Sequence, residues 1–478
     1  MAYEIPMDYQ DLAADYVRYI YQKGASKMKY IMSSFNHNKF KLEIVSEGLS
    51  FPTSITFDNN GMIYVVESGV PFDGQLPFGR ILCIPHNDKH HRSVLLDGLK
   101  GPVNGIAFHN DRFYVSEGGL KGGICTVDKE GEKTVIINDL PGPGNYHTNM
   151  VAIGPDNKIY FSQGAMTNTA IVGLDAYELG WLRRLPHAHD IPGYKAILTG
   201  VNIETSNPFG NKEDSLTKTG AFMPFGVQTK SGQNISHGVP CTASIMRSNL
   251  DGSDLELVAW GLRNAYGLGF LPDGRLLATE QGPDDRGSRP VGNAPDLLFE
   301  IKEDCWYGWP DFVGGDPITD KRYAPTRGNK PSFLLSNHSQ LPKPEEPLLR
   351  FPPNSCAAKF DVIPESVAEW GGLIVVALFG DEKPMTAPAG AHVGRTVTYI
   401  DPSDWRLCPF IDGPFFRPID VRFNPVDQSL YIVDFGKFDI NNSLEVVAQQ
   451  NTGRVLRVTA SKDLKKKEDK NSCFTNSF

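Results

Sequence analysis

Apolar and polar residues alternate along most of this chain, and the alternation comes in a repeating unit. The unit is clearest in AWGLRNAYGLGFLPDGRLLATEQGP, Ala259 to Pro283. An apolar run leads to a polar pair, Arg263 and Asn264. An alternating strand, a Pro-Asp-Gly turn and a second strand ending at Gly-Pro follow. Alternation over these lengths with a turn between predicts a hairpin in a half-buried sheet. Related stretches run from Thr53 to Gly69, Val103 to Gly119, His147 to Gly164, Asn264 to Gly282, Phe360 to Gly380 and Pro418 to Gly436. Each is preceded by a strand ending in a bend, such as SVLLDGL or TVIINDL. Each is followed, sometimes after an insertion, by another, such as GRILCIP or GRTVTYI.

Four strands per unit and six units predict an all-β chain, a six-bladed β-propeller in which only short strand edges stay open. The last unit, ending at Gly453 to Thr459, lacks a fourth strand, while Lys41 to Val45 is a spare one. Pairing the two would close the ring. The propeller is expected over residues 41–460. Insertions fall at about 165–242, 306–346 and 380–395, in blades three, four and five. Long loops on a rigid scaffold are where sites are built, and these three would crowd one face if they left from the same strand ends. Residues 1–40 read as a helical extension, with Leu12, Tyr16 and Ile20 at helical spacing, and 461–478 as a flexible tail.

Charge narrows the partners. A net charge of -9 over 478 residues argues against nucleic acid or an anionic membrane as the main partner. No stretch has the length and apolarity of a membrane span. The N-terminal segment lacks a basic start and an apolar centre, so the expectation is no secretory signal and a cytoplasmic location. Seven cysteines without a CxxC pair make neither a disulfide framework nor a zinc site. Cys83, Cys125 and Cys408 fall in strand patterns, as small buried hydrophobes do.

The innermost strand of each propeller blade lines the axis, so the residues that begin those strands converge. Here they are Thr53, Asn104, His147, Arg263 with Asn264, and Arg417 with Asp420. Such a polar ring needs partners, water or a ligand. A wet channel with self-satisfied groups and a ligand site are both consistent with it. His147 is the candidate base, and Arg263 the candidate stabiliser of negative charge that develops beside it. Gly282 and Pro283, with acids close by, offer hard oxygen donors of the type calcium takes. The same residues also make a plain turn. His187 and His189, in the first insertion, have metal-ligand spacing without a third ligand nearby, and read as solvated loop histidines. The aromatics of WYGWP, from Trp306, would line a pocket mouth or anchor a loop.

Over most of residues 40–460 the chain resembles the soluble quinoprotein sugar dehydrogenases, the glucose/sorbosone dehydrogenase family. The likeness is sharpest in GLRNAYGLGFLPDGRLLATEQGP, then in IGPDNKIYF and YGWP. It implies the six-bladed propeller, the cofactor pyrroloquinoline quinone (PQQ), calcium, and oxidation of a sugar or other alcohol by hydride transfer. By position, His147 resembles the general base and Arg263 the arginine that polarises the quinone. Asn264, Gln281 and Arg417 resemble cofactor contacts, and Gly282 and Pro283 the carbonyl donors to calcium. Ile419 stands where a second arginine is expected. The lysine-bearing turn of blade five is replaced by GDEKPMTAPAGAHVGR, so Lys383 or Arg395 would stand in. Members of that family generally act outside the cytoplasm. Two further readings are open: a lactonase-like hydrolase with a metal on Asn104, His147, Asn264 and Asp420, and a non-catalytic binding propeller that lost the quinone.

Overall fold

A computed structural model describes residues 40–70, 78–85, 91–142, 144–212, 214–367, 370–411 and 413–460. The N-terminal helix and the C-terminal tail expected from the sequence lie outside the described residues. The chain between Glu43 and Arg457 forms one compact unit.

Six antiparallel sheets carry the six repeats. Blade one pairs Pro52–Phe57, Ile63–Glu67, Gly79–Ile84 and Ser93–Leu99 in that order. Blade two pairs Ile106–His109, Arg112–Glu117, Gly122–Asp128 and Lys133–Leu140. Blade three uses Thr148–Ile153, Ile159–Gln163, Ser244–Ser248 and Glu256–Trp260. Blade four uses Ala265–Phe270, Leu276–Glu280, Pro295–Ile301 and Leu349–Pro353. Blade five uses Ala357–Val362, Ile374–Leu378, Thr396–Asp401 and Arg406–Ile411. Blade six runs Pro418–Asn424, Ser429–Asp434, Gly453–Ala460 and then Phe40–Leu49. The spare N-terminal strand therefore completes the last blade, as the strand count required. Each innermost strand packs on the next around the ring, and that of blade six returns to that of blade one.

The second strands hold the blades together by burial. Ile63–Glu67, Ile159–Gln163, Leu276–Glu280 and Ile374–Leu378 are buried at every position. A strand covered on both faces loses the polar alternation of an outer strand. Polar stitching runs between the inner strands. Asp420 of blade six accepts from Ser54 Oγ at 2.7 Å and Ile55 N at 3.1 Å in blade one. The fully buried Lys359 of blade five donates from Nζ to the carbonyl oxygens of Thr53 and Asn104, tying three blades at the axis. Burial pushes its amine down to about 7, with Asp420 holding it up from falling further.

The insertions follow two routes. Those of blades three and five join second strands to third strands, so they leave from the end where the inner strands begin. The blade-four insertion joins a third strand to a fourth and leaves from the opposite end, so the condition of a shared origin is not met. It climbs back along the outside: Cys305–Trp306 adds a fifth strand to blade three, parallel to it, with Ala259 facing Cys305 and Trp260 facing Trp306. Trp306, Tyr307 and Trp309 are all buried, so WYGWP anchors the loop rather than lining a mouth. Trp260, Trp306 and Trp309 pack with Leu198, Phe222, Leu334 and Leu335, so the two long insertions share one apolar core. A buried ion pair locks it: Arg289 Nη2 to Asp311 Oδ1 at 2.7 Å, both side chains at most 1 % exposed. Among the described residues no helix is long and apolar enough to cross a membrane, and the six described cysteines are free thiols.

Candidate functional site

Where the inner strands begin, the loops enclose a well of about 440 Å³ on the axis. Thr53, Asn104, His147, Arg263 and Asn264 all face it, so blades one to four contribute the polar starts expected of them. Blade six contributes Ile419 instead. The side chains of Arg417 and Asp420 point into the protein beside the well and are almost wholly buried.

The floor of the well is an ordered chain of side-chain amides. Asn104 Nδ2 donates to Asn149 Oδ1 at 3.3 Å, and Asn149 Nδ2 to Asn264 Oδ1 at 2.7 Å. Asn264 Nδ2 then donates to Gln281 Oε1 at 2.7 Å, and Gln281 Nε2 to Cys356 Sγ at 3.0 Å. The chain crosses four blades in one direction and leaves Asn264 and Gln281 oriented by their neighbours. Gly164 must lack a side chain for this: a Cβ there would sit 2.8 Å from Asn264 Oδ1 and 2.4 Å from Tyr146 Cβ.

One wall carries charge. The Arg263 guanidinium is 2 % exposed and held from several sides. Its Nη1 donates to the carbonyl oxygens of Gly282 at 2.6 Å and Gln281 at 3.2 Å. Its Nη2 donates to Asp284 Oδ2 at 2.5 Å, to Asn168 Oδ1 at 2.9 Å and to the Tyr146 hydroxyl, while its Nε is buried without a partner among the described residues. Arg286 joins the cluster through Nε to Asp284 at 2.9 Å and Nη1 to Asp175 at 3.0 Å. A guanidinium tied at this many points is a fixed positive charge rather than a flexible one.

The opposite chemistry sits at His147. Its half-buried ring faces the well, and no described residue forms a hydrogen bond to it. Burial pushes the imidazole down to about 4, so at neutral pH it is an uncharged base with a free lone pair. Burial also raises two carboxyls nearby: Asp296 to about 6 and Glu280 to about 8. Asp296 is steadied by the amides of Gly282 at 3.0 Å and Ala357 at 2.9 Å and by Ser355 Oγ at 3.1 Å.

The remaining expected contacts are engaged elsewhere or lie outside the well, Gly282 excepted. Arg417 donates to the carbonyl oxygens of Asp381 at 2.6 Å and Phe438 at 2.9 Å and to Asp439 Oδ1 at 2.9 Å, so its fork is engaged behind the wall. Lys383 donates to the Ala391 carbonyl at 2.7 Å inside its own loop, and Arg395 pairs with Asp439 at 2.5 Å. Gly282 faces the well but its carbonyl already accepts from Arg263, and Pro283 is not among the lining residues. Of the four side chains of the lactonase-like reading, Asp420 does not reach the well. His187 is exposed, and His189 Nδ1 lies 2.9 Å from the Asp190 carbonyl, as loop histidines do. Asp284, Arg286 and Asn149 were not singled out from the sequence. The first two stand three and five residues after Gln281 in the same turn, which was the available signal.

No family model matches the chain. It is 22% identical over 315 residues to quinoprotein glucose dehydrogenase B of Acinetobacter calcoaceticus, a match that takes in 60% of this chain and 55% of that protein. The chain thus spans little more than half the length of the curated relative it matches. The PQQ-bound aldose sugar dehydrogenase of Streptomyces coelicolor superposes with a TM-score of 0.52 at 14% identity, over 89% of this chain and 99% of that one. The holo PQQ domain of pyranose dehydrogenase from Coprinopsis cinerea gives 0.52 at 15% identity, over 88% and 95%. At these identities the solved structures establish a shared fold. By name the curated relative is a quinoprotein sugar dehydrogenase, and these two neighbours are sugar dehydrogenases with PQQ.

Proposed function

We propose that the axial well is the active site of a quinone-dependent oxidoreductase that oxidises a sugar or other alcohol, with His147 as its base. The observation that carries this reading is the pairing of an uncharged, unpartnered imidazole with a fixed guanidinium in one well.

Whether the residues fit the cofactor turns on charge. Two arginines, Arg263 and Arg286, line the well together with four acidic residues, Asp284, Asp296, Asp381 and Glu382, of which Asp381 turns its carboxylate to His392 and Val393 of its own loop. A quinone with three carboxylates brings three negative charges to a wall that is already acidic. With a calcium ion it brings one, and the acids become an asset. The residues fit the calcium–quinone pair and not the free quinone. Asp284 would hold the cation, with the Gly282 carbonyl joining through the lone pair that Arg263 leaves open, and Arg263, Arg286, Asn264 and Gln281 would hold the organic part. Bound there, such a quinone supplies the acceptor for the two electrons that leave with the substrate hydrogen.

The chain's own residues do the rest. His147 accepts the hydroxyl proton at an imidazole nitrogen while the carbon loses its hydrogen with the bonding pair, leaving a carbonyl. Arg263 keeps its charge in place as negative charge grows on the substrate oxygen, so no reorganisation is needed at that moment. The amide chain fixes which way Asn264 and Gln281 point. Dye reduction by purified protein given PQQ and aldoses tests this. Turnover is expected with calcium and is expected to vanish when a chelator removes it. Quinone binding that is equally tight without calcium contradicts the charge argument, and no turnover across a panel of aldoses and alcohols contradicts the function.

A further inference from the structure

Beside the well is a second cavity of about 280 Å³. Its walls are the rings of Phe415, Phe416 and Phe438, with Arg395, Lys437 and Asp439 among them. A two-stranded ribbon, Phe438–Ile440 against Val446–Ala448, separates it from the well. Phe438 faces both spaces, Val446 faces the well, and the next residue, Val447, faces the second cavity.

Among the described residues the charges there do not balance. Arg395 and Arg417 both donate to Asp439 Oδ1, at 2.5 and 2.9 Å, so two guanidiniums share one carboxylate oxygen. Lys437 adds a third cation, which forms no ion pair among the described residues and stands 5.6 Å from the centre of the Phe416 ring. The Arg395 Nε is buried and has no acceptor among the described residues. Three phenyl walls invite a flat apolar body, and the surplus positive charge invites an anionic group on it.

We propose that this cavity is a second binding site, for a planar aromatic molecule carrying a carboxylate or a comparable anionic group. The ring lies among Phe415, Phe416 and Phe438, and the anion meets Lys437 and Arg395. The site stands on its own residues and does not depend on the reaction assigned to the well.

Naphthalene-2-carboxylate, titrated into the full chain by calorimetry, tests it, with the neutral naphthalene-2-methanol as comparison. Saturable binding to one site is expected, about tenfold tighter for the acid than for the alcohol. Lys437→Gln, an exposed position, is expected to weaken the acid about tenfold and leave the alcohol unchanged. Phe416→Ala is expected to weaken both, and His147→Ala, in the well, neither. Equal binding of acid and alcohol, an unaltered affinity in Lys437→Gln, loss of binding in His147→Ala, or no saturation would each overturn the proposal.

Discussion

Alanine at His147 is expected to cut kcat by about 10²–10⁴-fold, the range by which a placed general base accelerates proton transfer. The fold should be untouched. No described residue hydrogen-bonds to the ring, so its removal orphans no partner, and the ring edge already faces the well. A loss confined to kcat, with KM and thermal midpoint near those of the parent, separates a chemical role from a packing one. The pH dependence has a definite sign. The ring acts as a base when uncharged, and burial pushes its pKa down to about 4. Activity should therefore hold as pH falls through the ordinary histidine range near 6.5, and decline only toward 4. An acid limb near 6.5 would mean that some other, solvated histidine controls the rate.

The largest effect on stability is expected at Asp311. Its carboxylate is fully buried and accepts from Arg289 Nη2 at 2.7 Å, from the amides of Leu334 and Leu335 at 3.0 and 2.8 Å, and from His338 Nε2 at 3.0 Å. Asp311→Ala strands a buried guanidinium and two amides at once. Breaking such a pair costs about 3–5 kcal/mol, read as a lower urea midpoint. Replacing both partners by apolar residues, Arg289→Met with Asp311→Leu, should cost less than Asp311→Ala alone, because no charge is then left unpaired. Equal midpoints for Asp311→Ala and the parent would show that the insertions are not held by this pair. Since Arg289 is three residues beyond Arg286, the damage should also reach the charged wall of the well.

The repeat was legible because the sheet writes it twice. Period-two alternation marks each strand, and turn residues such as those of Pro272-Asp273-Gly274 mark the hairpins. Strand membership, the order of blades and the closing N-terminal strand followed from that pattern, and the structure has them all. Which residue of each inner strand faces the axis was less legible. Five of the six inner strands carry a register irregularity near their start, among them Pro418/Asp420 in blade six and Ala265/Gly267 in blade four. A bulge re-aims the side chains that follow it, so counting by twos from the hairpin fails there. Ile419 therefore faces the well while Arg417 turns behind it. Lys383 could not be placed from sequence for another reason: it sits in a loop with no period to count, and its amine is taken by that loop's own Ala391 carbonyl. Lys359 escaped notice because a lysine in an apolar strand looks like an exposed face, until three blades are seen to meet around it.

The claim on which the account rests is that a substrate carbon–hydrogen bond breaks in the axial well while His147 takes the hydroxyl proton. Comparing an aldose with the same aldose deuterated at its anomeric carbon, in protein supplied with calcium and PQQ, measures that step most directly. A severalfold slower kcat/KM is expected for the deuterated sugar, at a pH where His147 is uncharged. Equal rates for the two sugars in a protein whose turnover survives His147→Ala would contradict it.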